Sequence, residues 1–400
     1  MAAKAFTQRE WKKIRETLDA DPVRYGLPDR VYGSVLLASF NIRKLGSTTS
    51  RNNDTWKFLA DVCRRFDLLA VQEIMDDLGG LRKLQGLMGP EFGMIVSDKT
   101  GAFPGEPGVG ERLGYIFNRS IVRRTEIATD ISYDRSKVLR TLGRYNDEIH
   151  KAMAPYATKL NDYFAKLDEY NAGNRRTKPK MPKLKVKMPT FLTFIRTPFC
   201  VSFEISGHPG TEPYHFMAIN AHLYFGHFMA DRRQEFDALM EWILARVKEN
   251  DRAYYPNFIL LGDLNLDFNN PRTDRKRIEK HMKTFNSDTE DDVNVNFPFL
   301  DPYPGRKKVF QTNARLDQTF DQIGLFCRDQ RMPTYLDNAS MGQHIRGPDY
   351  GVFDFPMLFS KALNDQSLDG LSREARGEFL ARFEHTVSDH MPLWLRLPLP

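Results

Sequence analysis

The chain has 400 residues, of which 41% are apolar and 28% are charged, so it is neither a disordered nor a fibrous protein. Lys and Arg number 58 against 52 Asp and Glu, a net charge of +6, and no apolar run is long enough to span a bilayer. The N-terminus is polar where a signal peptide requires an apolar stretch, and the three scattered cysteines do not suggest a disulfide framework. These features predict a cytoplasmic, intracellular protein with no transmembrane segment.

The predicted elements alternate between helices and strands along the chain. Thr7 and Glu10 form a capping-box pair that predicts an N-terminal helix within a lead-in segment, 1–30. Asp54 is predicted to cap a second helix that reaches Arg65. A long helix is predicted at 230–250, and long loops at 285–315 and 328–350. The strands are predicted at 35–41, 67–73, 113–118, 214–222, 257–265, 319–326 and 391–397. This alternation predicts an α/β protein with a layered sheet core.

The middle of the chain differs from its flanks. Apolar residues recur every three or four positions over 139–170, which predicts a helix or helical hairpin that Pro155 kinks or divides. Residues 171–190 carry no acid and three prolines, which predict an extended, exposed loop. Its basic residues are Arg175, Arg176, Lys178, Lys180, Lys183, Lys185 and Lys187. Because both flanks are strand-like, residues 131–190 are interpreted as an insertion within a catalytic domain, 31–398.

Carboxylates, amides and imidazoles recur where the apolar strands end. They are Asn41, Glu73, His222, Asp263, Asn265, Asp321, Asp389 and His390. Each one alone is typical of a turn or a helix cap, but together they indicate a site that a rigid sheet holds at a cleft. The oxygen donors favour Mg²⁺ or Mn²⁺ over zinc. A metal, an activated water and donors for developing charge are suited to the hydrolysis of a phosphate ester.

Six short motifs in this order resemble the endonuclease/exonuclease/phosphatase superfamily. They are SFN at 39–41, QE at 72–73, AHL at 221–223, GDLN at 262–265, FDQI at 320–323 and SDH at 388–390. The resemblance covers about 35–130 and 191–398. It implies the deoxyribonuclease I-like fold, a four-layered α/β sandwich of two packed β-sheets, here with a helical insertion. It also implies a divalent metal, usually Mg²⁺, and the cleavage of phosphodiesters or phosphomonoesters.

The resemblance implies roles for individual residues. The metal ligands would be Glu73, Asn41 and Asp389. Asp263 and Asn265 would position the nucleophilic water and the scissile phosphate, and Asp321 would orient the catalytic His390. A second histidine, His222, would contact a phosphate oxygen or protonate the leaving group. Glu111 would orient His222, and Arg196 would contact the phosphate; as alternatives, Glu111 is a solvated loop acid and Arg196 a strand-end charge.

Two departures from the family pattern narrow the substrate. Gln322 follows Asp321 where nucleases and inositol-phosphate phosphatases commonly have an arginine, so the Cys-Asp-Arg signature of the inositol polyphosphate phosphatases is absent. His222 stands where apurinic endonucleases of the superfamily usually have no histidine, which argues against a role in base excision.

A metal-dependent nuclease acting on DNA or RNA is the preferred interpretation, because the basic loop suits a phosphate backbone. A phosphatase or phosphodiesterase acting on a phospholipid or inositol phosphate is the alternative, and a non-catalytic binding protein is the third. The segment 135–190 is interpreted as an arm that grips nucleic acid or as a docking surface for a partner protein. The sequence does not determine the oligomeric state.

Overall fold

The computed structural model describes residues 5–75, 77–100, 110–183, 186–226, 228–248, 254–270, 272–288, 293–339 and 349–399. The predicted basic residue Lys185 and part of the predicted loop 328–350 lie outside these ranges. Within them, no helix is both long and apolar enough to cross a membrane.

Nine α-helices lie within the described residues. They are α1 Gln8–Ala20, α2 Asn53–Cys63, α3 Gly79–Met88, α4 Arg135–Arg144, α5 Asn146–Asn171, α6 Met229–Lys248, α7 Asp274–Asp288, α8 Phe355–Asn364 and α9 Arg373–Thr386. The capping box that predicted α1 is present, with Thr7 and Glu10 bonding reciprocally. The predicted start of α2 is wrong: Asn52, not Asp54, accepts the hydrogen bond from the Thr55 amide, and the helix ends at Cys63.

Twelve strands in the described residues form two six-stranded sheets. They are β1 Ser34–Leu45, β2 Leu68–Met75, β3 Phe92–Val96, β4 Glu111–Asn118, β5 Val122–Asp130, β6 Phe199–Ile205, β7 Tyr214–His222, β8 Phe258–Asp263, β9 Asn294–Asn296, β10 Asp321–Cys327, β11 Tyr350–Val352 and β12 Leu393–Pro398. The first sheet has the order β11-β12-β1-β2-β4-β3 and the second β5-β6-β7-β8-β10-β9. The predicted loop 285–315 is therefore wrong in part, since the end of α7 and the strand β9 fall inside it.

The two sheets pack face to face, with β1 and β2 of the first against β7 and β8 of the second. Their central strands are apolar over most of their length and buried, as expected for sheets covered on both faces. Helices α1, α2 and α8 add Trp11, Trp56 and Phe359 to the core cluster. The architecture is the predicted four-layered α/β sandwich.

By its internal contacts the chain divides into two compact units. The first comprises Met1–Ile131, Ile195–Leu223 and Met240–Pro400 and contains both sheets. The second comprises Ser132–Phe194 and Tyr224–Leu239 and contains α4, α5 and the start of α6. In the second unit, an aromatic cluster of Tyr133, Phe191 and Phe194 lies on residues flanking the helical hairpin.

The helical part of the second unit differs from its prediction. Pro155 lies inside α5 without dividing it, and the break between α4 and α5 falls at Tyr145, whose φ of −113° is not helical. Pro155 is exposed, so water can hydrate the backbone carbonyl that the missing amide leaves without a partner. The described residues between α5 and β6 have no regular secondary structure, in agreement with the predicted loop at 171–190.

Candidate active site

Three adjacent strands place three predicted site residues side by side. In the register of the second sheet, Asp263 at the end of β8 is paired with His222 on β7 and with Asp321 on β10. Asp321 begins its strand instead of ending it, which corrects the prediction. Because β10 runs antiparallel to β8, its first residue lies at the same sheet edge as the last residue of β8.

Gly262 allows the close approach of strands β7 and β8 next to these residues. Its φ is +155°, and a Cβ at this position would lie 2.0 Å from the carbonyl oxygen of Ala221. Any larger residue in the GDLN motif would therefore push apart the two strands that carry His222 and Asp263.

The first sheet contributes Asn41 and Glu73 through two irregularities in its central strands. Pairing shifts register between Asn41 and Leu45 on β1 and between Val71 and Ile74 on β2. Glu73 has a φ of +57°, which non-glycine residues adopt at a cost, so the strand is bent where the carboxylate leaves it. These residues therefore lie inside their strands and not at the predicted ends.

Asn41 connects the two sheets at the site. Its Nδ2 donates to Glu73 Oε1 at 3.2 Å and to Asp263 Oδ2 at 3.1 Å. Glu73 Oε2 also accepts from the Lys44 amide at 3.0 Å. The amide thus holds a carboxylate of each sheet in one place.

Asp389 and His390 lie on the segment before β12, not after a strand as predicted. Ser388 holds this segment to β1, since its Oγ donates to the Asn41 carbonyl at 2.7 Å and accepts from the Arg43 amide at 3.1 Å. Because β12 is antiparallel to β1, a residue that precedes β12 reaches the same edge as Asn41.

His390 lies between two buried aspartates. Its Nδ1 is 2.9 Å from Asp321 Oδ2, and its Nε2 is 3.6 Å from Asp263 Oδ2. Burial by itself would lower the pKa of His390, but the two carboxylates outweigh it and raise that pKa well above 6.5. The pKa of Asp263 is lowered, because the positive charges of the histidines and hydrogen bonds from Asn41 and Asn265 outweigh its burial.

A second histidine lies on the other side of Asp263. His222 Nε2 is 3.6 Å from the same oxygen, Asp263 Oδ2, and His222 Nδ1 is 3.1 Å from Glu111 Oε2. Arg196 in turn places Nε 2.8 Å from Glu111 Oε2. Burial alone would raise the pKa of Glu111, but His222 and Arg196 lower it, so this group is a carboxylate. Glu111 is 8% exposed at the start of β4, so the alternative of a solvated loop acid is wrong.

Arg196 and Asn265 converge on one backbone carbonyl. Arg196 Nη1 donates to the Leu223 oxygen at 3.1 Å, and Asn265 Nδ2 donates to it at 2.8 Å. The Asn265 amide nitrogen of the backbone donates to Asp263 Oδ1 at 2.9 Å. Both side chains therefore brace the groups around Asp263, and Arg196 is buried in the segment before β6 instead of being a strand-end charge.

Glu73, Asn41 and Asp389 fit a divalent cation. Burial raises the pKa of Asp389 and the Glu73 charge raises it further, while His390 and Arg43 oppose the rise. The Oδ1 atoms of Asn41 and Asp389 are buried, and neither has a hydrogen-bond partner in the part of the chain that the structure describes. Unpaired oxygens beside two carboxylates form the donor set that Mg²⁺ or Mn²⁺ prefers.

A second group of possible ligand atoms overlaps the histidine site. Asp263, Asp321 and His390 each offer an atom within 4.8 Å of the others. These atoms already contact one another, and one of them is an imidazole nitrogen held by a carboxylate. The arrangement suits a proton relay better than a hard cation.

Two interactions at the site were missed in the sequence. The Arg51 guanidinium donates to the carbonyls of Arg43 and Val387, so it ties the chain after Asn41 to the chain before Ser388. Burial lowers the pKa of Arg51 to about 10, and the charge of Glu73 opposes this shift. No local pattern distinguishes Arg51 from a surface arginine.

Beneath the site, a buried amide pair joins the sheets. Gln72 Nε2 donates to Asn220 Oδ1 at 2.7 Å, and Asn220 Nδ2 donates to the Gly114 carbonyl at 2.8 Å. Both side chains are fully buried. The signal for them was present, since each is a polar residue inside an otherwise apolar strand.

The sequence over residues 38–390 matches the Endonuclease/Exonuclease/phosphatase family. No curated protein matches the chain significantly in sequence. Several solved structures are similar over most of their length. A family protein from Bacteroides thetaiotaomicron is 13% identical, with 91% of this chain and 97% of that one covered at a TM-score of 0.46.

Two other similar structures have more specific names. The mannosyl-6-phosphatase of Bacteroides thetaiotaomicron is 13% identical, with 90% of this chain and 98% of that one covered at a TM-score of 0.45. The human Nocturnin catalytic domain is 11% identical, with 93% and 97% covered at a TM-score of 0.44. At these identities the likenesses distinguish no substrate. Since the match spans most of the chain, and both sheets carry the matched residues, this protein belongs to the Endonuclease/Exonuclease/phosphatase family of phosphoester hydrolases.

Proposed function

We propose that the protein is a divalent-metal-dependent phosphodiesterase and that its substrate is a nucleic acid. One observation carries the proposal: two histidines, each backed by a carboxylate, lie 3.6 Å from the same oxygen of Asp263. Hydrolysis of a diester needs a group on the side of the attacking water and another on the side of the leaving alkoxide. A pair of oriented imidazoles meets both needs.

His390 and Asp263 serve the water side in this proposal. Asp321 holds His390 by Nδ1, so Nε2 faces Asp263 and the space beside it. Asp263 is a carboxylate whose Oδ1 is fixed by the Asn265 backbone, which leaves Oδ2 to orient a water and accept its proton. Asn265 and Arg196 contribute by holding the Leu223 carbonyl, and contact of either with the scissile phosphate remains part of the proposal.

His222 serves the leaving-group side. Glu111 fixes its Nδ1, and Arg196 keeps Glu111 ionised, so the proton of His222 is aimed through Nε2. A departing sugar oxygen is a poor leaving group, and protonation by a positioned histidine is worth about 100-fold to 10,000-fold.

Glu73, Asn41 and Asp389 would hold Mg²⁺ or Mn²⁺, which when bound neutralises phosphate charge and stabilises developing negative charge. The Arg43 guanidinium lies 3.7 Å from Asp389 and adds positive charge at the same edge. A substrate phosphate that approaches this edge would therefore meet cations from the chain as well.

A nucleic acid is favoured over a phospholipid or inositol phosphate by the charge of the second unit. That unit carries sixteen Lys and Arg against nine Asp and Glu, so its net charge of +7 exceeds the +6 of the whole chain. Repeated phosphates are the ligands to which such a surface contributes most. The phospholipid or inositol-phosphate hydrolase remains the second candidate.

Metal-dependent cleavage is the test of this proposal. We expect the wild-type protein to nick supercoiled plasmid, or to cleave linear DNA or structured RNA, with Mg²⁺ or Mn²⁺ and not with EDTA. The three substrates separate DNA from RNA and internal from end-directed cleavage. Release of phosphate from phospholipids or inositol phosphates, with no cleavage of any polymer, would contradict it in favour of the second candidate.

Glu73→Gln tests the metal site without relying on activity. We expect the Kd for Mn²⁺, measured by electron paramagnetic resonance, to rise at least about tenfold, because an amide replaces the charged oxygen. Glu126→Gln, on the exposed strand β5, is the control and should leave the Kd unchanged. Equal Mn²⁺ affinity in wild type and Glu73→Gln would place the metal elsewhere.

A further inference from the structure

The positive charge of the second unit gathers around a cleft. The cleft has a volume of about 320 Å³. Residues of α5 form one wall, and the chain that follows this helix forms the other. Its lining residues are Lys159, Asp162, Tyr163, Lys166, Arg175, Pro179, Lys180 and Pro182.

The helical wall arises from the period of α5. Lys159, Tyr163 and Lys166 recur at spacings of four and three, so they lie on one face of the helix. None of the residues of α4 or α5 is buried, so this face is not used to build a core. The opposite wall follows from Pro179 and Pro182, which keep the returning chain extended.

The cleft has an excess of cations after its own ion pairs are subtracted. Lys166 is paired with Asp162, and Arg175 lies 3.9 Å from Glu169 on the same helix. The structure records no acidic partner for Lys159 or Lys180. Beyond the cleft, the same loop presents the exposed side chains of Arg176, Lys178, Lys183 and Lys187.

We propose that this cleft is a binding site for single-stranded nucleic acid, separate from the catalytic residues. The proposal rests on the proposed function, and names the form of nucleic acid that the second unit holds. Lys159 and Lys180 would contact neighbouring phosphates, and the ring of Tyr163 would stack on a base. Grooves that bind single strands combine these two features, and site sizes begin at about four nucleotides.

The aromatic ring distinguishes this ligand from others with the same charge. A base inside a duplex has no free face for Tyr163, whereas an unpaired base does. A lipid surface would lie across the mouth of a concave cleft without filling it, and an acidic peptide would supply no ring to stack on. On α5, Phe164 and Tyr170 expose 48% and 37% of their surface, so further bases can find aromatic neighbours.

Binding of fluorescent oligo(dT), about 16 nucleotides long, tests the site. The full-length chain would be used in EDTA, so that no cleavage accompanies binding, and fluorescence anisotropy would be recorded over a range of salt. For Lys159→Ala with Lys180→Ala we expect about tenfold weaker binding, and a plot of log K against log salt about 1.4 units less steep, since each lost phosphate contact on a single strand removes about 0.7. For Tyr163→Leu we expect about tenfold weaker binding with an unchanged slope.

The control removes the same charge from a helix of the first unit. Lys276 and Lys280 lie exposed on α7, four residues apart, and their double replacement by Ala should alter neither affinity nor slope. An unchanged slope in the Lys159/Lys180 variant would overturn the proposal. So would loss of binding to phosphatidylcholine vesicles containing one-fifth phosphatidylserine with oligo(dT) binding intact, which would assign the cleft to a membrane surface.

The same variants separate this proposal from the proposed function. Metal-dependent plasmid cleavage together with unaltered oligo(dT) binding would reject the cleft alone. Binding that depends on Lys159, Lys180 and Tyr163, in a protein that cleaves no polymer with any metal, would reject the catalytic proposal alone.

Discussion

Asp263→Asn is expected to lower the single-turnover rate of plasmid nicking by at least about 1,000-fold. Asp263 Oδ2 is the atom on which both histidines converge, at 3.6 Å from each. An amide of the same shape keeps the packing but can neither accept a proton from water nor carry the charge that holds the imidazoles. The measurement is nicking at saturating Mg²⁺, with circular dichroism to follow folding.

The matched control for Asp263→Asn is Asp67→Asn, because Asp67 is an equally buried carboxylate of the sheet core. It accepts from Arg30 at 2.5 Å and from the Leu36 amide at 2.8 Å, far along β1 from Asn41. We expect Asp67→Asn to reduce the free energy of unfolding by about 1–3 kcal/mol while the rate changes less than about tenfold. If Asp263→Asn retained more than a tenth of the wild-type rate, Asp263 would have no part in the chemistry.

His222→Asn is expected to lower the rate in a way that depends on the leaving group. With plasmid DNA, whose leaving group is a sugar oxygen, we expect a loss of about 100-fold to 1,000-fold. With bis(p-nitrophenyl) phosphate, whose leaving group needs no proton, we expect a loss of less than about tenfold. The rates would be measured on both substrates at one pH and one metal concentration.

Two further histidine variants make the result specific. His390→Asn should slow both substrates equally, because the water must be activated whatever group leaves. His215→Asn removes a histidine from the same strand as His222, 3.0 Å from its own partner Glu204, and should slow neither. Equal losses on the two substrates for His222→Asn would contradict the proposed leaving-group role and favour a role in binding phosphate.

Much of this site could be predicted because each strand is a local pattern. The apolar runs before Asn41, His222 and Asp263 follow from the composition of a few residues, and so does the capping box at Thr7. The order of the six motifs indicated the family, and the match over 38–390 confirmed it. The residues implied by that resemblance lie together at one sheet edge, while their roles remain predictions.

The elements that failed are those in which context outweighs local propensity. Pro155 indicated a break, but an exposed helix tolerates it and the break falls at Tyr145. Asn52 competed with Asp54 as the cap of α2, and two adjacent candidates of similar strength cannot be separated by propensity alone. The short strand β9 is held by β10 and has little pattern of its own.

By itself, the sequence determined the fold class, the kind of chemistry and the residue types of the site, because these depend on short-range patterns. Only the tertiary structure decided which groups meet. Strand direction brought Asp321 and His390 to the edge where Asp263 ends its strand, and the bulges in β1 and β2 turned Asn41 and Glu73 toward it. Such pairings are set by register between distant segments, as for Asn41 and Asp263, and no local preference of the chain encodes them.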